Sequence, residues 1–270
     1  MSSLLLRSAR RAAALASLAL VGACGGLTDN STPTPNRYGA VNIRGRATSN
    51  TAVRANATVI FFEAITIAVP NSTLQQTDNC IFQGVDTLPQ VARGQFRAGE
   101  SVSLTASGNT ITMPYADALQ RYATPDASPL AYNSGDVAQV SIPGSSGAFP
   151  AQNISVKLAE PLLPQAITVP QPGVPLPVRW NGTNDPSAAV IIQLKYADPT
   201  SSTFANRQVY CEVKDDGAFD IPANGLTSFL ISPANLRSLT LTRWRTNEVL
   251  PDAKTVLHIV TSVDTVVALP

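Results

Sequence analysis

The sequence predicts an all-β protein with two β-sandwich domains in tandem after a signal peptide and a flexible tether. Charged residues make up only 14% of the chain, against roughly 25% in ordinary soluble domains. The 21 prolines and 16 glycines, together with abundant Thr, Ser and Val, favour strands and turns over helices. Short runs of alternating apolar and polar residues recur along the chain, which is typical of a sandwich.

Residues 1–23 are predicted to be a signal peptide. Arg7, Arg10 and Arg11 precede a mildly apolar run that is too short to span a bilayer. Residues 24–37 are polar, contain Pro33 and Pro35, and predict a flexible tether.

Leu-Val-Gly-Ala-Cys at residues 20–24 resembles the lipobox of bacterial lipoprotein precursors. The resemblance implies that Cys24 is lipidated and becomes the mature N-terminus. The protein would then be exported and anchored in the bacterial cell envelope by this lipid. Gly25 after the cysteine resembles the outer-membrane class of these lipoproteins.

The first sandwich domain is predicted over residues 38–160. Val102, Leu104 and Ala106 alternate with polar residues, as in a half-buried strand, and residues 107–109 predict a hairpin tip. Residues 116–122 predict a single helical turn. The other predicted strands are 41–43, 58–69, 80–82, 95–97, 137–142 and 154–158.

The second sandwich domain is predicted over residues 161–270. Prolines are dense from 161 to 177 and cannot lie in a central strand, so we place the boundary near Glu160. Asp216-Gly217 predicts a hairpin turn into Phe219, and residues 232–236 predict one capped helical turn. Strands are predicted at 178–180, 190–196, 209–213, 239–245 and 255–269. An early Trp180 and a long β-branched final strand are the order expected of an Ig-like or fibronectin-III-like sandwich.

Several of these segments resemble a group of bacterial lipoproteins with tandem β-sandwiches and no assigned activity. In the second half they are residues 178–180, 210–211, 216–222 and 260–269, and in the first half residues 135–137 and 149–158. The resemblance covers about residues 95–270 and implies architecture without chemistry.

The charge balance gives no reason to expect nucleic acid as a partner. Residues 1–23 contain three arginines and no acidic residue, so their removal lowers the formal net charge from +1 by three, to −2. Nucleic-acid binding normally requires a clustered basic face.

Two alternatives are open for the cysteines that remain if Cys24 carries lipid. Cys211 alternates with Val209 and Val213 and could be a buried thiol. A Cys80–Cys211 disulfide would instead close a loop of about 130 residues in an oxidising compartment.

No catalytic, cofactor or metal site is predicted. His258 is the single histidine and lies in an apolar run, about 20 Å along the strand from Asp264 on the same face. Asp215, Asp216 and Asp220 could offer oxygens to Ca²⁺, but a turn already explains Asp216-Gly217. The histidine is therefore interpreted as a packed strand residue and the acidic residues as turn residues.

Arg243-Trp244-Arg245 is the one candidate contact site for a ligand or partner. If Leu239 and Leu241 face the core, Trp244 lies on the opposite face and could stack on a sugar or anchor a protein. Alternatively, the register changes at the strand end and Trp244 is buried.

The sequence therefore favours a non-catalytic, membrane-anchored lipoprotein that acts as a structural or protein-interaction module. The alternatives are a carbohydrate- or ligand-binding module that uses exposed aromatics and, second, a paired-carboxylate hydrolase.

Overall fold

A computed structural model describes residues 36–63, 78–85, 94–125, 128–201 and 203–270. Cys24, the predicted signal peptide and nearly all of the predicted tether lie outside these residues. The described part is an all-β body. Its strands are β1 (Arg37–Ala47), β2 (Ala52–Glu63), β3 (Asn79–Gly84), β4 (Ser101–Ala106), β5 (Asn109–Ala116), β6 (Arg121–Ala123), β7 (Leu130–Asn133), β8 (Val137–Ile142), β9 (Gln152–Lys157), β10 (Leu176–Arg179), β11 (Ala188–Tyr196), β12 (Arg207–Lys214), β13 (Ala218–Ile221), β14 (Ser238–Asp252) and β15 (Thr255–Val267).

Helical structure in the described residues is limited to short pieces. One α-helix, α1, covers Thr227–Ile231, and single 3₁₀ turns cover Ala223–Gly225 and Ala234–Leu236. The last of these lies where a capped helical turn was predicted, but it begins after Pro233 and no side chain caps it. None of the described helices has the length and apolar character needed to cross a bilayer.

Thirteen of the described strands form a single sheet in the order β3-β12-β11-β14-β15-β1-β2-β6-β5-β4-β8-β9, with β7 paired to β2. Neighbours are antiparallel except β1 and β15, which run parallel from Arg37 opposite Thr255 to Arg46 opposite Asp264. β10 and β13 form a separate two-stranded sheet. Strand alternation, as in β4 and β11, buries every second side chain.

Two hydrophobic clusters fill the body. The first is built from residues 41–159 and from Leu257, Ile259 and Val263 of β15. The second is built from residues 162–241 and from Val267, near the end of the same strand. The β14–β15 hairpin therefore runs past both clusters, and the large sheet is continuous between them.

Phe61 of β2 is an organising residue of the first cluster. Its ring centroid lies 4.4 Å from that of Phe149 and 5.8 Å from that of Tyr122, with Tyr122 edge-on. The buried Tyr122 hydroxyl is satisfied, because it donates to the carbonyl of Gly99 and accepts from the amide of Ala98.

Two local predictions in the first half are wrong. Residues 95–97 are not a strand, because the amides of Gln95 and Phe96 bind the Phe61 carbonyl at the end of β2 instead of forming a ladder. Residues 116–122 form a turn between β5 and β6 rather than a helical turn. The residues after the turn are drawn into the sheet, where Tyr122 pairs with both Tyr115 and Val59.

The turn at Asp216-Gly217 exists, but the predicted hairpin does not. β12 is paired on both sides, with β11 and with β3. β13 therefore pairs with β10, and the amide of Trp180 binds the carbonyl of Gly217.

Cys80 and Cys211 form a disulfide between β3 and β12. The two cysteines are directly opposite each other in the ladder, with their Cα atoms 4.0 Å apart. The buried-thiol alternative for Cys211 is therefore replaced by a covalent link that ties β3, an end strand of the described sheet, to the body.

Replacing both cysteines by serine should lower the free energy of unfolding by up to about 5 kcal/mol, because the bridge restricts a loop spanning 131 residues. Urea denaturation of the wild type and of the double variant measures the change. Reductant should destabilise the wild type to a similar extent and leave the double variant unaffected. Equal stability of the two oxidised proteins would contradict the prediction.

Candidate functional site

The predicted contact site lies on β14, between β11 and β15. Arg243 is completely buried and Arg245 is 3% exposed. The prediction that these arginines contact a ligand is therefore wrong. They share the inward face of the strand with Leu239 and Leu241, and their charges are neutralised inside the protein.

Arg243 forms a buried, bidentate ion pair with Asp215. Its Nε lies 2.8 Å from Oδ2 and its Nη2 lies 3.1 Å from Oδ1, and neither side chain is accessible to solvent. Asp215 also accepts hydrogen bonds from Trp180 Nε1 at 2.9 Å and from Thr183 Oγ1 at 2.8 Å. Both carboxylate oxygens of Asp215 therefore accept charge-assisted or side-chain hydrogen bonds inside the protein.

The remaining donors of Arg243 bind backbone. Nη1 donates to the Pro161 carbonyl at 3.3 Å, and Nη2 donates to the carbonyl of Asn181. One guanidinium thus connects β14, the segment between the two clusters, and the loop after β10. Its role is structural, because no part of the group reaches the surface.

Arg245 is the centre of a second network at the same junction. Its Nη2 lies 2.8 Å from Glu160 Oε2, and its Nη1 lies 2.5 Å from Asp185 Oδ2. Lys157 Nζ also contacts Asp185, at 3.1 Å. Two cations and two carboxylates therefore offset one another beside a cleft of about 200 Å³ that Lys157, Ser187 and Arg245 help to line.

Asp185 stays ionised in this network. Partial burial on its own would raise the pKa of the carboxyl group, but hydrogen bonds from Ser187, Arg245 and Lys157 outweigh it and hold the pKa well below its usual value. For Arg245, burial opposes the charged form, while Glu160 and Asp185 together raise the pKa of the guanidinium.

Trp244 lies on the opposite face of β14 and is partly exposed. Its indole Nε1 is buried and has no hydrogen-bond partner among the described residues. Part of Trp244 is therefore available at the surface, but its indole donor is not. Its use as a stacking platform stays a prediction.

His258 lies in β15 opposite Glu248 of β14, with Nδ1 3.6 Å from the Glu248 carboxylate. Asp264 is bound instead by Arg44 and Thr242. The structure therefore gives the histidine a different acidic neighbour from the one considered in the sequence.

The three aspartates considered for calcium do not converge. Asp215 is committed to Arg243, Asp216 accepts from the amide of Ala218, and Asp220 pairs with Arg179 at 2.7 Å. No group of three potential metal-ligating His, Cys, Asp or Glu residues occurs in the described part of the chain.

Sequence reasoning missed the partners of the two arginines. The sequence did indicate that such partners exist, because arginine at two consecutive inward positions of an apolar strand requires buried counter-charges. The identity of those counter-charges was not readable, since Asp215, Glu160 and Asp185 come from three separate loops.

The sequence matches no protein-family model and no curated protein.

Replacing Asp215 by asparagine should lower the free energy of unfolding by about 3–5 kcal/mol, because it leaves the buried Arg243 without its counter-charge. Asp220→Asn is the matched control, since it breaks a solvent-exposed Asp–Arg pair worth about 0–1 kcal/mol. Urea denaturation of both variants makes the comparison. Similar losses in the two variants would contradict the assigned importance of the buried pair.

The contribution of Asp185 should depend on pH. Its folded-state pKa is lowered, so its stabilisation is fully present above the unfolded pKa of about 3.9 and is lost as the pH falls below that value. Asp185→Asn should therefore destabilise the protein most at pH 7 and less at pH 3, because the loss of stabilisation begins near the unfolded pKa and is complete only as the pH falls through the lowered folded-state pKa. Denaturation midpoints of wild type and variant at the two pH values test this. A difference that is equal at both would refute the charge-based role.

Proposed function

We propose that this protein is a lipid-anchored lipoprotein of the bacterial cell envelope whose β body acts as a non-catalytic structural or protein-interaction module. The observation that carries the proposal is the arginine-led apolar segment that ends at Cys24. The Cys80–Cys211 disulfide supports it independently, because such bonds persist in oxidising compartments outside the cytosol.

The connection between tether and body suits an anchored protein. The amides of Asn36 and Arg37 bind the carbonyl of Lys254, and β1 begins at Arg37. β1 is an interior strand, held by β2 on one side and β15 on the other. A tether attached there leads into a strand that is paired on both sides along nearly its whole length.

We also propose that the two hydrophobic clusters correspond to the two sandwich units, with their boundary near Glu160. The division of the clusters between residues 159 and 162 supports this arrangement. The units share one sheet, since β14 and β15 contribute to both. An Ig-like arrangement within each unit belongs to the same proposal.

The hydrolase alternative is the less favoured one. Glu160 and Asp185 are neighbouring carboxylates, because both bind Arg245. A general acid needs a raised pKa, whereas the pKa of Asp185 is lowered by its partners. The pair is thus better suited to holding Arg245 than to proton transfer.

The expected partners are the membrane, through the N-terminal lipid, and a protein or glycan, with outer-membrane localisation. Two or three acyl chains, at about 0.8 kcal/mol per buried CH₂, give stable anchoring.

Cys24→Ser should release the protein from the membrane fraction, because it removes the nucleophile that carries the lipid. Cell fractionation, with mass spectrometry of the N-terminus, measures both membrane association and lipid mass. The Cys80→Ser/Cys211→Ser variant is the matched control and should remain lipidated and membrane-bound. An unmodified Met1 on the native protein, or membrane retention of Cys24→Ser, would overturn the anchor.

A further inference from the structure

A second concave site lies at the end of the sheet where β3 pairs with β12. Its volume is about 340 Å³, near the lower end of the range of small-molecule sites, about 300–1,000 Å³. The residues that line it are Phe82, Gln83, Tyr196, Asp198, Arg207 and Ser228. We call it the Phe82 cleft.

The Phe82 ring rests against Gly225 although it is 50% exposed. A Cβ added at Gly225 would lie 2.5 Å from ring atom Cε1 and 2.8 Å from Cζ, so only glycine allows the ring to rest this close to the backbone. Two residues before Phe82, the disulfide fixes β3 to β12. The ring is therefore an exposed apolar surface on a strand that the disulfide holds to its neighbour, which limits the backbone ordering that ligand binding requires.

Polar groups of fixed geometry surround this ring. Asp198 accepts from Arg207 Nε at 2.8 Å and from Asn206 Nδ2 at 2.9 Å. Asp198 binds Arg207 at Nε, and the Arg207 side chain is 52% accessible. The buried Tyr196 and the neighbouring Ser228 add hydroxyl groups to the cleft wall.

The charge in the cleft is balanced. Arg207 is the basic group of the lining and Asp198 the acidic one, and the two are paired. A phosphate or another strong anion would have to compete with Asp198 for the guanidinium. A neutral ligand with many hydroxyl groups does not meet this penalty.

We infer that the Phe82 cleft binds a sugar ring of a glycan. The less polar face of a pyranose stacks on Phe82, and its hydroxyl groups hydrogen-bond to Arg207, Gln83 and Ser228. An aromatic surface with a few placed polar groups is the composition expected of a small-ligand site. This inference goes beyond the proposed function and does not depend on the lipid anchor.

A glycan array tests the inference. The sample is the full-length protein purified in detergent, and the probes on the array are neutral, amino and uronic-acid pyranose oligosaccharides. The wild type should bind at least one class. Phe82→Ala should weaken that binding about tenfold, as expected for the loss of a central aromatic contact. Phe82→Tyr should keep the binding, and Gly225→Ala should reduce it by displacing the ring.

Leu250→Ala is the control, because it removes a 64% exposed apolar side chain from β14 and should leave binding unchanged. Circular dichroism verifies the fold of each variant. If Phe82→Ala does not fold, saturation-transfer NMR on wild type with ¹³C-labelled phenylalanine replaces it, and contact between Phe82 and the array-selected oligosaccharide is the expected result.

Any one of the following results would overturn the inference. They are no binding of any array glycan by the wild type, unchanged binding by folded Phe82→Ala, or loss of binding in Trp244→Ala alone. Phe82-dependent binding of extended peptides in place of glycans would also overturn it, since β3 would then be a strand-pairing edge. The anchor proposal is judged separately by the Cys24→Ser fractionation.

Discussion

The buried ion pair of Arg243 and Asp215 is the interaction on which the centre of this fold depends. Neither charge is accessible to water, so each is tolerated only because the other is present in bidentate geometry. The pair also brings together Trp180, Asn181 and the Pro161 carbonyl. The segment between the two clusters, the loop after β10 and strand β14 must therefore reach their final positions together, which couples the two halves of the body.

Local patterns in the sequence predicted much of the strand content. Alternation identified β4 and β11, and Ser107-Gly108 correctly marked the turn between β4 and β5. Which strands pair with each other was much less predictable. β3 was expected in the first sandwich, yet it pairs with β12. Such pairings join residues more than one hundred positions apart, and their choice depends on which strand edges are already occupied.

The candidate functional residues show the same difference between features set by neighbouring residues and features set by residues far apart in the sequence. Cys24 rests on five contiguous residues, and the sequence also raised Cys80 and Cys211 as one of two possibilities. The Phe82 cleft could not be predicted, because its wall combines β3, the ends of β11 and β12, and the segment around Gly225. The Trp244 hypothesis failed for its two arginines for a physical reason: the alternation that turned Trp244 outward turned both charges inward.

The parallel pairing of β1 and β15 means that both strands start at the same end of the body and run in the same direction. Arg37, the first residue of β1, is level with Thr255, and β15 then continues for twelve residues to Val267, roughly 40 Å at about 3.3 Å per residue. Val267 belongs to the second cluster, as do Cys80 and Cys211 beside the Phe82 cleft. Under the proposed lipid anchor, the length of β15 would separate the second cluster from the anchored end of β1.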